Sequence, residues 1–141
     1  MEENIQKSSF SFEGYKILKS SFEKKENPEG KEITLGFNPK GKIYKSQSKF
    51  ELEIEFNAKD ENDSFEVNIK ATAFYTFKNV HFENNEISSI FLVNAPAILF
   101  PYIRAYISTL TALSGISPVL LPTVNLTGMK DALMSSIVFV D

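Results

Sequence analysis

The residues that could do chemistry are few and scattered. His81 is the single histidine, and it stands beside Phe82 and Glu83 after a strand-like run. A lone general base is its catalytic reading, and a solvated loop histidine is the plainer one. One imidazole cannot make a zinc site with carboxylates spread over several strands, and the chain carries no HExxH pattern. Cysteine is absent, which removes disulfides, thiolate nucleophiles and Cys-ligated metal. No GxSxG, GxGxxG or P-loop pattern occurs, and the serines and threonines lack a nearby base. The sequence therefore predicts no catalytic residues, no metal, no cofactor and no enzyme.

Two other residue sets have a spacing that means something. Glu51, Glu53 and Glu55 share one face of a strand. They read either as a solvated face that discourages edge aggregation or as an acidic docking surface for a basic partner. The second set is aromatic. The chain has 13 Phe and no Trp, and Phe74, Phe77, Phe82, Phe91, Phe100, Tyr102 and Tyr106 follow one another closely. One small sheet and one helix cannot hide them all, so the surplus points to a self-association surface or a groove for apolar ligands.

The elements that must position these residues can be read from periodicity. Residues 1–8 form a loose tail. Phe10 and Phe12 place apolar groups on even numbers, and after Gly14 the phase moves to Tyr15 and Ile17, which predicts a β-bulge. Ile33, Leu35 and Phe37 begin a second strand that Asn38-Pro39-Lys40-Gly41 interrupts or turns. Phe50, Leu52, Ile54 and Phe56 alternate strictly with glutamates in a third. A fourth runs from Phe65 to about Phe77, with Phe74 on its polar face. Four strands joined by polar loops predict an antiparallel meander with one apolar face to be covered.

Between Ile87 and Gly128 the single formal charge is Arg104. This stretch predicts a helix from Glu86 to about Val93, then a long one starting near Asn94-Ala95-Pro96 and ending at Gly115. Ile103, Ile107, Leu110 and Leu113 form one stripe on it, suited to the helix core or an oligomer interface. Arg104, if buried there, needs a partner. A short helix follows from about Thr127 to Ser136. The prolines, Arg104 and many hydroxyls argue against a membrane span. The polar start has no apolar signal core, which predicts a cytoplasmic protein. The net charge of -3 argues against nucleic acid as a partner.

The stretch Ala95-Pro96-Ala97-Ile98-Leu99-Phe100-Pro101-Tyr102-Ile103-Arg104 resembles the signature of the SecB family around its long helix, with ILFPY and Arg104 carrying most of the likeness. Gly115, Pro118, Leu120 and Val124-Asn125 resemble the loop that follows. The resemblance implies an α+β fold over residues 1–141, a four-stranded antiparallel sheet with a long helix on one face, and a short C-terminal helix. It implies a homotetramer, a dimer of dimers with the long helices between sheets. It also implies ATP-independent holding of unfolded polypeptides or preproteins in apolar grooves. Phe74, Phe77, Phe82, Phe91, Ile98, Leu99 and Tyr102 are the groove residues expected on this basis. Typical members deliver clients to SecA through an acidic sheet face, and some relatives protect the antitoxin of a toxin–antitoxin module. The typical member ends in an acidic tail, whereas this chain ends in Ile137-Val138-Phe139-Val140-Asp141, which weighs toward a specialised relative. A non-catalytic apolar-ligand or structural protein on the same fold is the remaining alternative.

Overall fold

The computed structural model describes residues 10–78, 87–122 and 124–141. The strands are β1 (Phe10–Lys24), β2 (Ile33–Tyr44), β3 (Lys49–Asp60) and β4 (Phe65–Phe77), followed by α1 (Ser89–Leu113), α2 (Met129–Ser136) and β5 (Val138–Val140). The tail expected at residues 1–8 lies outside the described residues, as do His81, Phe82, Glu83 and Glu86.

The sheet corrects the expectation of a four-stranded antiparallel meander. It has five strands in the order β1-β4-β3-β2-β5, and β5 runs parallel to β2. Only β2-β3-β4 is a meander; β1 lies beside β4, which is a Greek-key order. Residues 25–32 must therefore carry the chain across the ends of β4 and β3. Three strand spacings are roughly 14 Å, and a loop of eight residues reaches well beyond that. The crossing is held by the β3–β4 turn. Lys25 N donates to Ser64 O at 2.8 Å, and Gly30 N donates to Asp60 Oδ2 at 2.7 Å. Lys31 N donates to Glu61 Oε1 at 2.9 Å, and Lys25 pairs with Asp63 at 2.8 Å.

β1 keeps its apolar side toward the core by slipping register twice, between Phe12 and Gly14 and again between Ile17 and Lys19. Gly14 has φ 129°, a region open to glycine. The first slip was legible as a phase change, and the second explains why Leu18 stands 57% exposed. β2 does not break at Asn38-Pro39. Pro39 is tolerated because β5 pairs only with Lys42–Tyr44, so that stretch of β2 has a ladder on one side alone.

One sheet face is the core. Phe50, Leu52, Ile54, Phe56 and Ala58 of β3 and Val67, Ile69, Ala71, Ala73 and Tyr75 of β4 are all buried. α1 and α2 cover them. The two helices expected between residues 86 and 114 are a single helix, with Pro96 and Pro101 inside it. Ser88 caps it, its side chain accepting from Ile90 N. Each proline removes one helical N–H, so Leu92 O and Ala97 O lose that donor, and tertiary contacts anchor the first half of the helix. Tyr75 donates its hydroxyl to Ala95 O at 2.5 Å. Phe91 sits in an aromatic nest, with ring centroids 4.7 Å from Phe77, 4.8 Å from Phe10 and 4.9 Å from Phe50. Such edge-to-face pairs add about 1 kcal/mol each beyond their buried area.

At the other end of α1, buried Thr111 donates to Ile107 O and accepts from Val119 N, which turns the chain back over the sheet. Gly115 takes φ 83° in that turn. α2 then buries Met129 and Leu133.

Candidate functional site

The seam between β1 and α1 is where apolar chemistry reaches solvent. Because of its two register slips, β1 aligns Phe10, Phe12, Tyr15, Ile17, Ser20 and Phe22 with the core-facing residues of β4. Tyr102 of α1 lies over this row, stacked on Tyr15 with ring centroids 4.5 Å apart and on Phe12 at 5.7 Å. One turn on, the hydroxyls of Tyr106 and Ser20 meet at 2.7 Å. Tyr102 is 41% exposed and Tyr15 39%, and Phe12, Ile98 and Tyr106 are half-buried. The result is an aromatic ledge with a hydroxyl rim. It offers dispersion and stacking but few directional contacts, which suits apolar side chains in no fixed order. Along α1, Ile90 and Leu113 are also exposed, as is Leu120 in the loop beyond.

The residues expected at a groove do not all meet. Tyr102 is at the seam, and half-buried Ile98 lies one helical turn before it on α1. Phe77 and Phe91 pack together in the aromatic nest, and Leu99 is fully buried. Phe74 is on the opposite face of the sheet, with Lys16 Nζ 5.8 Å from its ring centre. Phe82 lies outside the described residues. The stripe expected on the long helix divides: Ile103 and Ile107 are fully buried, Leu110 is half-buried and Leu113 is 83% exposed. Arg104 is exposed and so is not the buried charge that would demand a partner. Sequence reasoning missed Phe10, Phe12 and Tyr15 as site residues. Their signal was the phase change at Gly14, but only the strand order shows that α1 lies along them.

The outer sheet face has mixed charge. Glu51 and Glu53 stand opposite Lys42 and Lys40 of β2, and Glu55 stands opposite Asn38. On the β4 side, Glu55 is opposite Lys70, whose Nζ lies 3.3 Å from Glu53 Oε1. The glutamates are thus interleaved with lysines.

Among the described residues, two ionisable groups are strongly perturbed, and both hold the scaffold. Burial alone would raise the Asp60 carboxyl, but Ser64 Oγ, the Gly30 amide and the Ser64 amide donate to it and bring it down to about 2. Burial pushes the Tyr75 hydroxyl up, which keeps it a donor to Ala95 O. Among the described residues, no group of three His, Asp or Glu side chains is placed to hold a metal ion.

Comparisons place this arrangement among known proteins. The chain superimposes on a SecB-like chaperone of Mycobacterium tuberculosis, Rv1957, solved in complex with a ChAD peptide from the Rv1956 HigA1 antitoxin. The TM-score is 0.70 at 18% identity, over 82% of this chain and 91% of that one. A protein of unknown function from Streptococcus agalactiae matches with a TM-score of 0.51 at 10% identity, over 81% of this chain and 97% of that one. In sequence, an uncharacterized protein of Methanocaldococcus jannaschii, MJ0357, is 60% identical over 37 residues, 26% of this chain. That match spans 24% of the relative's own length. The profile of the preprotein translocase subunit SecB family matches residues 5–135, nearly the whole chain, and the chain belongs to the SecB family.

Proposed function

We propose that this protein is an ATP-independent holdase, a cytoplasmic and non-catalytic chaperone that keeps segments of unfolded polypeptide from aggregating. The observation that carries this reading is the open seam, where Tyr15 and Tyr102 stack half in solvent, with Phe12 against Tyr102 and Tyr106 bonded to Ser20 one turn on. An unfolded chain offers apolar side chains in arbitrary order, and an aromatic ledge without a charged floor accepts them without demanding a sequence. Membership of the SecB family supports the same reading. Phe77 and Phe91, at the helix start, form the deep end of the proposed binding surface. The exposed end of the α1 stripe, Leu113, is proposed to lie in the interface of a homotetramer.

The test is dilution of a guanidinium-unfolded protein into buffer, followed by light scattering. A stoichiometric amount of this chain should delay aggregation without ATP, and the double variant Tyr15→Ser, Tyr102→Ser should lose most of that delay. Absence of any delay with the intact chain in excess would sink the proposal.

A dedicated client is a second reading, favoured by the outer face. A dock for a basic partner such as SecA would use Glu51, Glu53 and Glu55, but Lys40, Lys42 and Lys70 dilute their field. The neighbour from Mycobacterium tuberculosis was captured with an antitoxin peptide. An antitoxin as the single client predicts one polypeptide in a pull-down from the native cytoplasm. Export predicts a mixture of preproteins.

A further inference from the structure

The C-terminal segment Ile137–Val140 is an extended peptide seated on a strand-addition site, and the site is built for it. β5 adds to the free edge of β2 in parallel, with Val138, Phe139 and Val140 in register with Lys42, Ile43 and Tyr44. Ile137 precedes it as the extended C-cap of α2. Ile137 and Phe139 both pack against the core, while Val138 between them is 55% exposed. The seat exists because β2 lacks a side chain at Gly41: a Cβ there would lie 3.0 Å from Ile137 Cγ1 and 2.9 Å from the Phe50 ring. The edge therefore offers backbone pairing plus two apolar berths at alternate positions, the arrangement by which a sheet edge recognises a strand-forming peptide.

The occupant is weakly held. Its ladder is three residues long. The ion pair at its end, Lys45 to Asp141, spans 3.5 Å with the carboxylate 99% exposed, so it contributes little. A strand held by a three-residue ladder belongs to the part of a fold that opens first. What keeps it seated is the tether to α2, which holds it at a high effective concentration.

We infer that β5 is a built-in stand-in for a client: an extended polypeptide segment with large apolar side chains at alternate positions displaces it and pairs with β2 at Lys42–Tyr44. The inference rests on the holdase reading and adds a second point of attachment, across the sheet from the seam. The tail then acts as a threshold, since a client must outcompete a tethered strand before this edge accepts it.

The chain has no cysteine, so a disulfide can lock the tail without side reactions. Lys42→Cys with Val138→Cys places the two thiols on strand neighbours on the outer side, and neighbouring strands lie about 4.8 Å apart, within disulfide reach. The probe is a fluorescein-labelled peptide with the sequence of residues 136–141, read by anisotropy. The reduced protein should bind it about tenfold or more tightly than the oxidised one, and a chain ending at Ser136 should bind it more tightly still. Equal affinity in the two redox states overturns the inference. So does a disulfide-linked dimer on oxidation, which would mean that a second copy supplies the strand. Aggregation delay is measured on the same two samples. Delay in both with no redox effect on the peptide removes the tail site and leaves the holdase standing. A redox effect on the peptide with no delay in either removes the holdase and leaves the strand site.

Discussion

The two long edges of this sheet carry similar apolar alternation and meet solvent in opposite ways. β1 runs for 15 residues with no strand on its outer side among the described residues. Its aromatic residues stack with Tyr102 in the open. β2 is closed: Pro39 removes a donor from its edge, β5 pairs with its end, and Phe37, Pro39, Met129 and Ala132 line a notch of about 270 Å³ beside α2. An unpaired edge invites addition of another strand. The contrast teaches that one sequence can expose apolar area where it is useful and spend its own tail to cover it elsewhere. Changes on the closed flank should therefore affect folding as well as strand exchange, and changes on the open flank should affect binding alone.

The largest expected effect is on the closed flank. Gly41→Val places a branched side chain whose Cβ would lie 2.9 Å from the Phe50 ring, closer than packed Cβ atoms come, and 3.0 Å from Ile137 Cγ1. Phe50 is fully buried and cannot retreat, so the change should cost about 3 kcal/mol by overpacking. Gly36→Val makes the control, because a Cβ there meets only the Asn57 Cβ, at 3.8 Å. It should shift stability by about 0.5 kcal/mol or less. Denaturant unfolding of the pair checks both. Similar losses at the two glycines would erase the distinction drawn for this edge.

The next effect falls where the two edges are joined. The Asp60 carboxylate latches the β1–β2 crossing to the β3–β4 turn through Gly30 and Ser64. Its carboxyl is lowered from the ordinary 3.8 to about 2. A depressed carboxyl stabilises the folded state fully above the unfolded value, and that stability is lost as pH falls through the folded value. The loss should therefore run from about pH 4 down to about pH 2 and amount to about 2 kcal/mol. Asp60→Asn should remove a similar amount at neutral pH and flatten that acid limb in unfolding curves. An unchanged acid limb would mean that the crossing is held by other bonds.

These residues also mark what the sequence could reveal. β3 and β4 were legible because strict alternation reports a half-buried strand directly, and that alternation already put Phe74 on the polar side. Gly14 reported its bulge because a register slip flips the faces. Strand order was not legible: pairing β1 with β4 depends on a loop that crosses strand ends, and no local pattern encodes that. β5 was missed because three apolar residues at a terminus have no period. Pro96 and Pro101 suggested two helices, since contacts that anchor one continuous helix, such as that of Tyr75 with Ala95 O, come from 20 residues upstream and leave no local pattern. At the candidate site, the motif singles out Tyr102, whereas its stacking on Phe12 and Tyr15 depends on how α1 lies along β1.

Tyr75 offers a smaller and sharper probe of the shared core. Its hydroxyl is buried and bonded to Ala95 O. Tyr75→Phe keeps the ring among Phe10, Phe12, Phe50 and Phe91 and removes only the donor. Stability should fall by about 1 kcal/mol, and client holding should be unaffected, because the ring that supports the seam is retained. A holding defect beyond the stability loss would mean that the bond positions α1 for binding.

The smallest expected effect on the folded chain is at Leu113, and there the stability reading and the binding reading separate most cleanly. Leu113 is 83% exposed at the end of α1, while Ile103 and Ile107 on the same helix are fully buried. A charge at a buried stripe position would unfold the protein and report nothing about assembly. Leu113→Asp introduces that charge where a single chain already meets water, so unfolding at low protein concentration should change by about 0.5 kcal/mol or less. Against a second copy the same carboxylate would be desolvated without a partner, and the assembly should come apart. Sedimentation at micromolar concentration should therefore show a lower mass for Leu113→Asp than for the parent. Equal masses would place this end of α1 outside any interface and leave its exposed apolar surface free for clients, as the seam is proposed to be.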